Sequence, residues 1–572
     1  MRRTSFVRRT AGATRAPFVQ RIPFVAATAS LAMLLPAAAQ ASAPTAEAPT
    51  RTAHTPHTPH TAPDAPAFSS AGGRYERPVS LTLRAERGTT IRYTLDGTTP
   101  TRASRLFVPG RPLRISGDTN VTAVAFRGGR ASVARSVGYL VKTAEKPLAR
   151  LAVMSDVHIG DHENNDKKYE SFFDTIASVF PRPDAILSNG DMINDNGDGR
   201  GADHRIVSEI FRDNLKRKRM DDTQVLLSNG NHDASLADIR AHYPRPWFPD
   251  SGGGYYESTV SGLHVFTVNT ETYNGSTAQR TWLKKRLAEL TADPANARTP
   301  ILVQGHRPAP GTAMDGQQAS NPRLTEDLKD FPQVIYFSGH SHLNINDERS
   351  VHQRDFTAVN DGSMSYVEMD HGYQAVTETG LADRFEAPTA QALFVEVYRD
   401  RTEIARVNMA ADRHDIYTGG QWSANWQPPY ASAGTLAGPT WTVRLKGNSP
   451  QQIKDGFTYT DARRNTTAPR FTDRHPLGLI KTDRTGKGAA LRIRQARDDQ
   501  MVHHYRVDIE ETRTGAKLLS TKVLAEYYFM PRPGSLDIPL PSTKSGTRYA
   551  AHVSAVDAYG NASPGASLRF SG

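Results

Sequence analysis

Between residues 67 and 143 apolar and polar positions alternate with period two, as in Val79-Ser80-Leu81-Thr82-Leu83, Thr90-Ile91-Arg92-Tyr93-Thr94 and Val121-Thr122-Ala123-Val124-Ala125. Each segment can bury one face, so the pattern predicts strands of a small β-sandwich, with Asp96-Gly97 as a turn. From 148 to 411 the pattern changes. Short apolar runs at 151–154, 185–187, 225–227, 301–303 and 334–337 suit buried parallel strands, and helical patterns separate them. Tyr169, Phe172, Phe173, Ile176 and Val179 recur at helical spacing and form a core-facing stripe. Over 412–467 the pattern weakens around Gly419-Gly420 and Pro428-Pro429, which predicts a connector with a few strands. Alternation returns over 468–572, at 505–509 and 550–556, and predicts a second sandwich.

Two of these segments carry resemblances. The stretch Ile91-Arg92-Tyr93-Thr94-Leu95-Asp96-Gly97-Thr98-Thr99-Pro100 is similar to the immunoglobulin-like module appended to chitobiase-type glycosidases. That resemblance implies a fold, with glycan contact or a spacer role both open. The ending Ala555-Val556-Asp557-Ala558-Tyr559-Gly560-Asn561-Ala562-Ser563 resembles the last hairpin of a fibronectin type III domain.

Composition bounds the rest. The 572 residues allow about three to five domains at roughly 100–200 residues each, and a hydrophobic share of 38% supports packed cores. With no cysteine, a disulfide framework and thiolate metal ligands are excluded. Residues 1–41 hold six arginines, no acidic residue, a mostly apolar run over 23–39 and the small-x-small site Ala39-Gln40-Ala41. This reads as a signal peptide for a secreted protein, too short in its apolar run for the ~20 residues of a spanning helix. The arginine pairs also fit twin-arginine export, but the residues after each pair suit that signal poorly, which favours the general secretory route. Those six arginines account for six of the net +11 charges, so the remainder is only mildly basic, with interspersed charges and no specific nucleic-acid stripe. Residues 42–66 form a Thr/Pro/His-rich linker, whose His54, His57 and His60 lie in a setting that seldom pre-forms a metal site.

The candidate chemistry lies in 148–411. Asp156-x-His158, Gly190-Asp191, Gly230-Asn231-His232-Asp233, Gly305-His306 and Gly339-His340-x-His342 each fall at or just after the end of a predicted strand. Ligands gather at that edge of a parallel sheet. Carboxylate, amide and imidazole suit borderline divalent ions such as Mn, Fe or Zn. Asp156, His158, Asp191, Asn231, His306, His340 and His342 are too many for one tetrahedral ion and suit two sharing a carboxylate, the usual arrangement for attack at phosphorus. Alone, Asp-x-His or Gly-Asp is commonplace; the five in this order are specific.

These residues resemble the calcineurin-like metallophosphoesterases over about 148–411. The resemblance implies a four-layer α/β/β/α sandwich, here flanked by all-β immunoglobulin-like sandwiches. It implies that Asp156, His158 and His342 hold one ion, that Asn231, His306 and His340 hold the other, and that Asp191 bridges. It further implies that His232 contacts the phosphoryl or leaving-group oxygen and that Asp233 orients its ring. Asn194 stands where the purple acid phosphatase branch carries a tyrosine, so tyrosinate-to-iron charge transfer is not expected. Asn269, Trp282 and Leu283 read as packing, and Asp195, Asn196, Asp198 and Asp203 as a solvated loop.

The expected activity is hydrolysis of small or polymeric phosphate esters, with phosphodiesters favoured, by a hydroxide generated between the two ions. The β-sandwiches would contact a wall or glycan, and no membrane span is expected after cleavage. A phosphomonoesterase of the same fold, and an extracellular adhesion protein with an inactive scaffold, remain the alternatives.

Overall fold

The computed structural model describes residues 62–572 apart from 143–144, 162–163, 196, 314–320, 378–379, 414–416, 419–420, 423–427, 464–466 and 482–487. The segment expected to be a signal peptide, most of the expected linker with His54, His57 and His60, Asn196 and Gly419-Gly420 therefore lie outside the described residues.

Two six-stranded sheets form the centre. The first runs in the order Gln224–Ser228, Ala185–Asn189, Ala149–Met154, Ala390–Val397, Thr402–Ala410, Trp441–Val443. Its first three strands are parallel, and Ala390–Val397 joins them antiparallel. The second sheet runs Tyr256–Val260, Leu263–Thr267, Ile301–Gln304, Val334–Ser338, Thr357–Asn360, Val351–Gln353, with its four inner strands parallel.

Side-chain alternation explains the layering. In the second sheet Val265, Leu302, Ile335, Phe337 and Val359 join the core of the first sheet. Their neighbours Phe266, Val303, Tyr336 and Ala358 point the other way and pack with Leu283, Leu287, Leu324 and Leu328 of the helices Thr277–Ala292 and Pro322–Leu328. Successive strand residues face opposite sides, so each strand serves two cores at once. On the outer face of the first sheet, helix Asn165–Val179 buries Tyr169, Phe172, Phe173, Ile176 and Val179, the stripe read from the sequence. The result is the four-layer α/β/β/α sandwich.

Two β-rich regions flank it. The N-terminal module joins the sheet Gly73–Tyr75, Arg135–Val141, Thr119–Arg127, Thr90–Thr94, Arg105–Leu106 to the short pair Val79–Leu81 and Leu113–Ile115. The C-terminal region stacks Leu477–Lys481, Ala489–Arg494 and Ser535–Pro539 on a six-stranded sheet, around a core of Leu491, Ile493, Tyr505, Val507 and Ile538.

The boundaries interlock. Leu140 of the N-terminal module is buried in the central core. Trp441 and its strand, from the expected connector, close the edge of the first central sheet. The hairpin Gln374–Thr377 and Gly380–Asp383 leaves the central segment and extends the C-terminal sheet, beside Lys517–Leu524. A strand given away to another domain has no local sequence signature, because its register is set by its distant partner.

Candidate metal centre

The five motifs meet at one edge of the two sheets. Asp156, His158, Asp191, His340 and His342 all have φ between 50° and 65°. They are five of the eleven non-glycine residues in the left-handed region among the described residues. That region costs an L-residue about 1–2 kcal/mol, though Asp, Asn and His tolerate it best. Each strand end thus turns sharply enough to bring its side chain back over the sheet edge, and such outliers cluster at functional sites. Gly230 and Gly339 explain the glycines of the motifs. A Cβ on Gly230 would lie 2.1 Å from Asp191 Oδ1, and one on Gly339 would lie 2.4 Å from Asp156 Oδ2.

The side chains form two groups, Asp156 with His158 and His342, and Asp191 with His306 and His340, the donor atoms of each within 4.8 Å of one another. In the first, His158 Nε2 and His342 Nε2 are 3.1 Å apart, and Asp156 Oδ1 lies 3.3 Å from His342 Nε2. In the second, His306 Nε2 lies 3.1 Å from His340 Nδ1 and 3.0 Å from Asn231 Oδ1. Asp191 Oδ2 lies between the groups, 3.1 Å from His306 Nε2 and 3.7 Å from His158 Nε2. All seven expected positions are therefore together. Asp156, His158, Asp191, His306 and His342 are buried, His232 and His340 half-buried and Asn231 exposed, so the cluster opens to solvent on the Asn231 side.

The donor set fits divalent cations. Two nitrogens bound tetrahedrally at about 2.0–2.1 Å from one zinc-sized ion stand roughly 3.4 Å apart, close to the observed spacings. Without a cation, two facing imidazole nitrogens can share only one hydrogen. The charges agree. Burial works against ionisation, yet His342 and His158 hold Asp156 well below the usual carboxylate range. Burial likewise opposes a charged His306, but Asp191 and Asp156 push it up to about 10. The carboxylates thus demand positive charge, and cation binding would displace a proton. His306 Nδ1 lies 2.9 Å from the Asn189 carbonyl, which fixes the ring and leaves Nε2 to face the centre.

One expected contact is absent. Asp233 does not orient the His232 ring, whose Nδ1 is buried without a hydrogen-bond partner among the described residues. The Asp233 carboxylate is occupied by backbone instead. Oδ2 accepts from Asp191 N and Gly230 N, both at 2.8 Å, and Oδ1 from Met192 N at 2.7 Å. With one carboxylate surrounded by amides of two loops, the geometry makes Asp233 a positioning residue for Asp191. His232 itself donates its backbone N–H to Asp191 Oδ1 at 2.8 Å, and its ring stands edge-on to His158, 5.0 Å between centroids.

Several neighbours escape a reading by motif. Ser155 Oγ donates to Asp361 Oδ1 at 2.7 Å and lies 2.5 Å from Asp156 Oδ2, while Asn189 Nδ2 donates to Asp361 Oδ2 at 2.5 Å. Burial, reinforced by Asp156, pushes Asp361 up to about 7. Asp361-Gly362 follows a parallel strand, the same placement as the motifs, but reads locally as a turn. Arg307 Nη1 lies 2.7 Å from His340 Nε2, with its Nε on Glu271 at 2.9 Å. Tyr366 stacks at a tilt on His342, 4.4 Å between centroids. Asn194 Oδ1 lies 3.4 Å from His158 Nδ1. Asp195 Oδ1 accepts from Gly197 N and Asp198 N at 2.7 and 2.9 Å, a turn-forming role. Trp282 packs on Tyr255 and Phe266, and Leu283 is fully buried.

Residues 149–344 match the calcineurin-like phosphoesterases, and residues 70–136 the chitobiase/beta-hexosaminidase C-terminal domain. Residues 149–344 thus form a calcineurin-like phosphoesterase domain, the domain of metal-dependent hydrolases of phosphoric esters, and its donor groups are compatible with two ions. No curated protein matches the sequence. Among solved structures it is similar to purple acid phosphatase PPD1 from yellow lupin (Lupinus luteus), at 11% identity and a TM-score of 0.33 over 60% of this chain and 72% of that one. It is similar to PhoD at 11% identity and a TM-score of 0.32, over 68% and 90%. A novel archaeal phosphodiesterase matches at 9% identity and a TM-score of 0.21, over 45% and 99%.

Proposed function

We propose that the chain is an exported phosphodiesterase. The observation that carries the two-ion reading is Asp191 Oδ2, placed between the two donor groups. In this reading Asp156, His158 and His342 hold one ion, Asn231, His306 and His340 the other, and Asp191 serves both. Divalent ions held there supply positive charge to the phosphoryl oxygens and lower the pKa of a water that serves as nucleophile. His232, half-buried at the open side, donates a hydrogen bond to a phosphoryl or departing oxygen. Asp233 holds the backbone of Asp191 in place, and Asp361 with Ser155 backs Asp156.

Charge around the mouth supports a diester. Arg307, directly after His306, is the one arginine adjoining a motif in the sequence, and Glu271 offsets its charge. Beyond His342, the Glu368 backbone N–H donates to the His342 carbonyl at 2.7 Å, and Glu368 stands directly opposite Glu386 on the next strand. Carboxylates there disfavour a monoester dianion more than a diester monoanion. No helix among the described residues is long and apolar enough to cross a membrane. Export rests on the arginine-rich, then apolar, first 41 residues.

The test compares kcat/KM for bis(p-nitrophenyl) phosphate and p-nitrophenyl phosphate under one metal and one pH. The diester is expected to lead, and a tenfold preference for the monoester would refute the reading.

A further inference from the structure

A groove of about 630 Å³ lies where residues 371–374 and 383–385 of the central domain meet the exposed face of the C-terminal sheet. The chain leads to it from the metal centre. Glu368 is tied to His342 by the backbone bond already described, Met369 N donates to the Phe385 carbonyl at 2.7 Å, and His371 opens the groove. Three residues along the chain from Glu368 to His371 reach at most about 10 Å.

Two features of the groove lack a structural reason of their own. Arg506 and Lys522 are exposed and stand directly opposite each other on antiparallel strands. Like charges in that position are destabilising. The carboxylate two positions along, Asp508, pairs with Lys517 at 3.4 Å and accepts from Ser520 at 2.8 Å. Among the described residues Lys522 has only the Tyr373 ring as a partner, 5.3 Å from its Nζ. The second feature is Phe385, a large apolar side chain left 42% exposed. It is braced flat against His371, at 4.9 Å between centroids and 22° between planes.

We infer that this groove binds the flanking units of a polymer in which phosphodiesters alternate with sugar or polyol units, while one phosphodiester reaches the metal centre. The inference rests on the phosphodiesterase reading and names its substrate class. Arg506 and Lys522 take a backbone phosphate, which relieves their mutual repulsion. Phe385 on His371 offers a flat apolar platform to the C–H face of a sugar or polyol. Asp383 and Asp508 line the same groove and accept hydroxyl hydrogen bonds.

The test uses the full-length protein and purified poly(glycerol phosphate). The double substitution Arg506→Ala with Lys522→Ala, and separately Phe385→Ala, lies at exposed positions. Each is expected to lower kcat/KM on the polymer at least tenfold, mainly through KM, and to leave turnover of bis(p-nitrophenyl) phosphate within twofold. Co-sedimentation of Asp191→Asn protein with the polymer reads binding separately from chemistry, and the groove substitutions should weaken it by a similar factor. Unchanged polymer kinetics and binding overturn the inference, as does equal loss on polymer and small diester. Tighter binding of oligothymidylate than of the polymer overturns it in favour of nucleic acid. Hydrolysis of the small diester without binding of the polymer overturns the inference alone. Failure on every diester refutes the phosphodiesterase reading, and the binding measurement still decides the groove.

Discussion

Asp233 Oδ2 accepts the backbone N–H of Asp191 at 2.8 Å, so the carboxylate that lies between the two donor groups is positioned through its backbone by a second carboxylate. The same oxygen also takes Gly230 N, which locks two strand-end loops together. An Asn side chain would set an NH₂ against one of these amide clusters. Asp233→Asn should therefore cost about 1–3 kcal/mol of stability and lower metal affinity roughly 10–100-fold. Thermal unfolding and metal titration check this, and an unchanged affinity would mean that Asp191 is held in place without it.

Asp191→Asn should act more directly. One residue serves two groups, so activity and the second ion are expected to disappear together while the fold persists. Metal content per chain, measured beside circular dichroism, decides it. Two ions retained at wild-type affinity would show that Asp191 is not shared.

His232→Ala removes a ring that touches none of the expected donor atoms through a hydrogen bond, and its Nδ1 has no protein partner. Metal content should stay unchanged. Turnover should fall about 10²–10⁴-fold, most for esters with poor leaving groups. A uniform loss across leaving groups would argue against contact with the departing oxygen.

Lys168, which donates to the Ser365 carbonyl behind the metal centre, predicts a pH dependence of stability. It is 1% exposed within helix Asn165–Val179, and burial lowers its pKa to about 7. Unfolded, the amine titrates near 10.4, so between about pH 7 and 10.4 the unfolded chain binds the extra proton. The penalty is full below pH 7, and stability rises with pH across that window, by at most about 1.4 kcal/mol per pH unit from this group. Lys168→Met should remove that part of the slope. Denaturant midpoints of both proteins from pH 6.5 to 10 test it, and parallel curves would show that Lys168 is charged in the fold.

Leu140 belongs to the N-terminal module yet lies 1% exposed in the central core. Leu140→Ala should cost about 2–5 kcal/mol through the cavity it leaves. Turnover per folded molecule on a small diester should hold, because the residue lies far from the site in its packing role. Deletion of residues 42–143 removes Leu140 as well, so loss of stability rather than of chemistry is the expected first effect. A stable truncated protein would show that the module docks without supporting the core.

Much of the site was legible along the chain because its signals are local. An apolar strand, a small residue and a ligand-type side chain follow one another at 149–158, 185–191, 224–233, 301–306 and 334–342, and each such unit bends at its own strand end. The residue types alone specified cation chemistry, and the number of donors specified two groups. Five short parallel strands and the stripe of helix Asn165–Val179 were equally local, since periodicity is a property of neighbours. What only the tertiary structure decided are pairings between residues far apart in sequence. Asp233 turned out to hold the amides of Asp191 and Met192, some 40 positions away, rather than the histidine beside it. Ser155 met Asp361 across 206 positions, and the hairpin at 374–383 left its own domain for a strand at 517–524. A carboxylate binds whichever donors the packed chain brings to it, and an edge strand pairs with whichever edge lies open. Neither choice leaves a trace in the neighbouring residues, because it is made by the whole fold.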